Sequence, residues 1–324
     1  MAKLQPSVMR LNFRFSGPGD HTIDLSQAAS MVNRRFYRQG LQWAVTKFRV
    51  LAPTAANNDS IEIFKIPTTW MSSNAWHKTM ATWRKQQDEA IAESGSESAV
   101  AKFRDFKIHM DVSHVDSGFG DNLLPYDGSI PAQQYLEGEW DASQIVLPNT
   151  DDTDPTTGPQ LDAAGNPIDI HPTEYFLHMV GVNNNGGISR GMIDGYAASR
   201  AYPQSPDPVS PSIGGSDNWL NRMFNDGNAN PEILQNASDT NDELPYDQND
   251  YPGGEVNGPG LQYVDGIYYG TNNTGNKWQT LEGGVFPCGL VRIRSVTSVE
   301  NINFQVVLVP GKHRGYLAEP MQDM

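Results

Sequence analysis

The chain has 324 residues, 38% of them hydrophobic and 19% charged, with 30 glycines, 22 prolines and a formal net charge of −15. That mixture suits strands joined by long ordered loops and argues against a helical bundle or wholesale disorder. One cysteine, Cys288, excludes an intramolecular disulfide, and no run approaches the roughly 18 apolar residues of a membrane span.

The opening "MAKLQPSVMR" lacks the apolar core of a signal peptide, so the expectation is a chain made in the cytosol without a membrane partner. Charge is unevenly placed. Residues 1–50 carry +6, residues 51–110 balance, residues 111–290 carry −22 and residues 291–324 carry +1. The ends are basic or neutral and the middle is acidic, which predicts solvent-facing loops there.

In chain order, "RLNFRF" alternates Leu11, Phe13 and Phe15 with Arg10, Asn12 and Arg14, the period of a half-buried strand. "SGPGD" is a turn, after which Asp24 or Ser26 caps a short helix running to about Arg35, with Leu25, Ala29 and Val32 on one face. "LQWAVTKFRVLAP" reads as a strand with Ala44, Thr46, Phe48 and Val50 on one side and Trp43, Val45, Lys47 and Arg49 on the other. "NNDSIEIFKIPTT" is turn plus strand. "SSNAWHKTMATWRKQQDEAIAES" is the one convincing long helix, capped by Ser72 or Ser73, with Trp76, Met80, Trp83, Gln87 and Ile91 as a packing stripe.

"KFRDFKIHMDVSH" reads as another strand, with Phe106, Ile108 and Met110 on one face and Lys107 and His109 on the other. From about 115 to 285 the pattern breaks into short strands such as "QIVLP" and "YFLHMVGV", separated by polar stretches too long to be idle connectors. The end is again β: "FPCGLVRIRSVTS", where Val291 and Ile293 alternate with Arg292 and Arg294, then "ENINFQVVLVPG".

Chemistry leaves little trace. There is no GxSxG, Walker loop, HExxH or CxxC, so no enzyme is expected and no catalytic residue is named. Cys288 reads as a small buried hydrophobe, and His109 and His114 as solvated residues at a strand end. No cofactor is expected. "DDTDPTTGPQLD" and "DTNDELPYDQND" supply oxygen ligands for a structural calcium, but both lack the glycine of an EF-hand loop.

What remains is basic side chains on strand faces: Arg10 and Arg14, Lys47 and Arg49, Lys107, and Arg292 and Arg294, with Lys3, Arg34, Arg35 and Arg38 in short clusters. They join into one patch if the first and last strands are neighbours in one sheet, as they are in an eight-stranded jelly roll. The expected fold is therefore all-β: one jelly-roll domain over 1–324, two packed antiparallel sheets with one inserted α-helix and long acidic loops within about 115–285. A sheet positive on one face and a molecule negative elsewhere suit a shell around nucleic acid, because phosphate neutralisation needs no sequence reading.

The stretches "IDLSQAASMVNRRFYRQGLQWAV", "IPTTWMSSNAWHKTMATWRKQQDEAIAESGSES" and "KFRDFKIHMD", with "FPCGLVRI…FQVVLVPGKHRGYLAEPM", resemble capsid proteins of small circular, Rep-encoding single-stranded DNA viruses. The resemblance covers roughly the first 125 and the last 40 residues. It implies a virion protein whose copies assemble into a small icosahedral shell, enclose single-stranded DNA, and meet a host-cell receptor through surface loops. Such proteins often begin with a long Arg-rich arm, whereas only "MAKLQPSVMR" precedes the first strand here, which puts genome contact on the folded sheet. Trp140, Trp219, Tyr268 and Trp278 are the expected anchors between subunits, each with loop packing as its alternative. Two rival readings are a carbohydrate-binding or carbohydrate-active β-sandwich and a trimeric phage receptor-binding protein.

Overall fold

The computed structural model describes residues 7–53, 58–95, 105–128, 132–147, 173–182, 188–200, 260–270 and 277–324. Its contacts gather into two compact units, the first made of 1–73, 105–142 and 260–324, the second of 74–104 and 143–259.

The first unit is a β-sandwich. Strand β1 (Arg10–Phe15) buries Leu11, Phe13 and Phe15 and exposes Arg10 and Arg14, as its alternation requires. A turn with Gly17 at φ 76° leads into β2 (Gly19–Asp24). Asp24 then ends the strand and starts helix α1 (Leu25–Asn33), its carboxylate accepting from the Ser26 and Gln27 backbone N–H groups. Arg34, in the left-handed region at φ 53°, stops the helix.

Strand β3 (Leu41–Leu51) pairs with the closing strand β11 (Ile302–Leu308) on one side and with β9 (Gln279–Phe286) on the other. It departs from the simple alternation. Trp43 and Val45 are buried, Thr46 and Lys47 are both exposed, and Phe48 and Val50 are buried. The register shift against β11, where Val307 faces Lys47 but Leu308 faces Val45, marks a β-bulge that inserts Thr46 and flips the inward face. All four apolar residues thus enter one core. Gly283 on β9 makes the bulge possible, since a Cβ there would lie 2.0 Å from the Val45 carbonyl oxygen.

Strand β4 (Ser60–Lys65) pairs with β10 (Leu290–Val296) and with β8 (Gln262–Tyr268), and β10 also pairs with β2. The two sheets therefore run β1-β11-β3-β9 and β2-β10-β4-β8, all antiparallel, with the short β14 (Ala318–Pro320) added to the start of β3. One apolar cluster joins them, with Phe13, Trp43, Phe48 and Phe304 from the first sheet and Ile23, Ile61, Ile63 and Ile293 from the second. A hairpin of β12 (Pro310–Gly311) and β13 (Gly315–Tyr316) follows β11.

The strand expected at "KFRDFKIHMDVSH" does not form over its described part, from Asp105 onward. Phe106 through Met110 are all buried, in irregular backbone that Gln39 holds by bonding both the N–H and the carbonyl of Ile108. Helix α3 (Val112–Ser117), capped by Asp111, follows. His109 and His114, expected in solvent, are 3% and 1% exposed. The His114 Nδ1 accepts from the Met110 N–H and its Nε2 meets the Asn122 amide, while burial lowers its pKa to about 3. Cys288 is buried as expected, its thiol pushed well above its ordinary pKa by desolvation.

Helix α2 (Trp70–Ser94) covers the expected long helix but starts earlier, so the expected caps Ser72 and Ser73 lie inside its first turn, where the Ser72 N–H donates to Thr69 Oγ1; from Asn74 it belongs to the second unit. Within that unit Gln86 bonds both backbone groups of Val146 on β5 (Gln144–Leu147), acting as a strand neighbour made of one side chain. Strand β5 pairs antiparallel with β6 (Thr173–His178), which pairs parallel with β7 (Ser189–Gly191) ahead of helix α4 (Met192–Arg200). Lys78 on α2 donates to the Ser199 hydroxyl on α4.

Candidate nucleic-acid interface

The outward face of the first sheet can be built from its register. In one row across the strands Arg10 faces Val307, which faces Lys47, which faces Glu282. In the next, Asn12 faces Gln305, then Arg49, then Thr280; in a third, Arg14 faces Asn303 and Leu51. Because strands lie about 4.8 Å apart and rise about 3.3 Å per residue, the four cations Arg10, Arg14, Lys47 and Arg49 occupy an area of roughly 10 by 13 Å. Among the described residues none of them forms a salt bridge.

The face is ordered by hydrogen bonds between side chains. Arg14 Nε donates to Asn303 Oδ1 at 3.1 Å, and Arg49 donates to Gln305 Oε1 at 3.2 Å. Gln305 Nε2 in turn donates to Asn12 Oδ1 at 2.7 Å. Two rings border the cations. The Arg14 guanidinium lies 4.9 Å from the centre of the Tyr126 ring and that of Arg49 lies 4.9 Å from Trp278. Tyr126 reaches this edge because its backbone N–H bonds the Asn12 carbonyl, extending the sheet beyond β1.

A second group of basic residues gathers where β1 begins. Val8 donates its N–H to Asn33 and its carbonyl accepts from the Tyr316 hydroxyl, so the chain after α1 and the β12–β13 hairpin both meet this point. Arg34, Arg35 and Arg38 lie on the first of these segments and Lys312 and Arg314 on the second. Arg314 donates to the Phe36 carbonyl, and its own carbonyl accepts from Tyr37 and Ser7. Lys312 and Arg314 escaped the sequence reading although "GKHRG" compresses three basic or titratable residues between two glycines. Tyr126 and the carboxamides carried no such signal.

The single basic patch expected from sequence is not what forms. Lys107 is 8% exposed, paired with Asp105 and set against the Trp140 ring. Arg292, 2% exposed, is paired with Asp111 and Asp20. A buried cation already neutralised by carboxylates cannot reach a phosphate, so these two residues belong to the fold. Arg294 is exposed but lies on β10 in the other sheet, paired with Asp20 at 3.1 Å and over the Phe64 ring. The reason is topological, since β10 joins β2 and β4 while β1 joins β11.

Of the expected subunit anchors, Trp140 is 6% exposed and donates to the Asp24 carboxylate, which makes it a core residue of the first unit. Tyr268 is 61% exposed on the second sheet; its hydroxyl donates to Glu62, which pushes its pKa up to about 12. Trp278 is 42% exposed, beside Arg49. Lys3, Trp219 and both acidic stretches considered for calcium lie outside the described residues. Among the described residues no group of three His, Cys, Asp or Glu is placed to hold a metal. A polar cleft of about 260 Å³ on the first unit is lined by Asp20, His21, Thr22, His114, Ser117 and Asp121, among others.

No family model, curated protein or solved structure matches this chain.

Proposed function

We propose that the protein is a viral capsid subunit with a jelly-roll fold, which assembles with copies of itself into a closed shell and contacts single-stranded DNA through the open face of its first sheet. The observation that carries this reading is the pairing order. Counting the eight sandwich strands along the chain, first pairs with eighth, second with seventh, third with sixth and fourth with fifth. A long ribbon folded once and wrapped produces that order, the doubled Greek key of jelly rolls. It leaves the opening and closing strands adjacent, and Arg10 and Arg14 then share a face with Lys47 and Arg49. The exposed Tyr263, Tyr268 and Val296 of the second sheet leave apolar surface available for contacts between subunits. The resemblance of the first 125 and last 40 residues to capsid proteins of single-stranded DNA viruses supports the same reading.

The test is to express the full chain and examine it by size-exclusion chromatography and negative-stain microscopy. A capsid subunit elutes near the void as uniform round particles that carry nuclease-protected nucleic acid. A monomer that binds sugars, or an elongated trimer without nucleic acid, would replace this reading with one of its two rivals.

A further inference from the structure

Charge alone does not account for how the face of the first sheet is made. If neutralising phosphate were its whole purpose, four freely projecting cations would serve. Instead two of them, Arg14 and Arg49, lie against aromatic rings at 4.9 Å and are tethered to carboxamides of β11. The rings stand at opposite edges of the sheet: Tyr126 beyond β1, and Trp278 two residues before the Thr280 that faces Arg49. Their backbones lie about four strand spacings apart, roughly 20 Å, and their rings flank guanidiniums carried two strands apart, so each would meet a different nucleotide. Trp278 keeps 42% of its surface exposed, a cost the packing of the sandwich does not explain.

A ring flanked by a guanidinium offers a base its flat face and the neighbouring phosphate a positive charge. Such platforms tolerate any sequence, because every base has a π-face, but they need bases that are not already stacked inside a duplex. We infer that this face binds single-stranded nucleic acid by stacking unpaired bases on Tyr126 and Trp278 while the adjacent arginines take the phosphates. The inference rests on the nucleic-acid reading above and gives its single-strand preference a physical basis in two residues that charge patterning does not reveal.

The test uses the full-length chain at a concentration where it elutes as the subunit. The probes are a fluorescent oligothymidine of about 20 nucleotides, an abasic deoxyribose-phosphate strand of equal length, and a duplex. Oligothymidine should bind at least tenfold more tightly than the abasic strand, which carries the same charge without bases. Trp278→Ala and Tyr126→Ala should each weaken oligothymidine binding roughly tenfold and leave the abasic strand unaffected, with Trp278→Phe and Tyr126→Phe restoring most of the loss. Equal binding of oligothymidine by the alanine variants and the parent, or equal binding of both single strands, overturns the stacking role and leaves the charge reading intact. If the combined Arg10→Ala, Arg14→Ala, Lys47→Ala and Arg49→Ala variant also binds like the parent, the nucleic-acid reading itself falls.

Discussion

Asp24 is the residue on which the most local decisions meet. Its carboxylate caps α1 through Ser26 and Gln27, and also accepts from Gln39 Nε2 and Trp140 Nε1. Full burial outweighs these four donors and raises its pKa from 3.8 to about 6. A carboxyl with a higher pKa folded than unfolded binds its proton more tightly when folded, so its contribution is present in acid and is lost as pH rises through 6. His114 acts oppositely. Held neutral with a pKa of about 3 against 6.5 unfolded, it costs stability as pH falls below 6.5. Each effect is worth about 1.4 kcal/mol per pH unit, so between pH 6 and 4 they offset one another. Asp24→Asn should remove one side of that balance and make stability fall about 1.4 kcal/mol per pH unit faster than in the parent. Urea midpoints at pH 6, 5 and 4 measure this, and parallel profiles would refute it.

Among the elements, β3 shows where reading by periodicity stops. Its ends each alternate cleanly, but Thr46 interrupts them, and only the register with β11 reveals that Trp43 and Phe48 point to the same side. Gly283→Ala should cost about 3 kcal/mol by forcing a Cβ into the bulge backbone, whereas Gly284→Ala, whose Cβ would meet nothing closer than Phe286 at 4.0 Å, should cost under about 1 kcal/mol. Thermal unfolding of the two variants tests the assignment; equal losses would count against it. Strands β1, β4, β10 and β11 and helices α1 and α2 were legible because each places apolar residues at one period. Strands β8 and β9 were not, since "QYVDGIY" fully buries only Ile267 and "QTLEGGVF" is broken by two glycines. "FKIHM" misled for the converse reason: both of its faces are buried, Lys107 with its carboxylate and His109 among rings.

At the scale of the whole molecule, the charge segregation seen along the chain becomes spatial through strand pairing. The basic first fifty residues supply β1 and β3, which lie on either side of β11 in one sheet, so four cations share a face. Binding through that face should depend steeply on salt. Removing Arg10, Arg14, Lys47 and Arg49 together should lower the slope of log affinity against log salt for a single strand by about 3, at roughly 0.7 per cation. Filter binding across a salt series gives the slope, and an unchanged value would place the contacts elsewhere. The same variant should retain its fold, since none of these residues contributes to the apolar cluster.

By itself the amino-acid sequence determined the β-rich character, the two helices with apolar stripes, and the existence of a basic set in an acidic chain, because these follow from composition and from contacts a few residues apart. Only the tertiary structure decided which of those cations stay in water. Arg292 and Arg14 alternate with apolar neighbours in the same way, yet one meets Asp111 and Asp20 and the other meets Asn303 and Tyr126. Those partners lie up to 289 positions away along the chain, and no local pattern records what long-range pairing will bring beside a side chain.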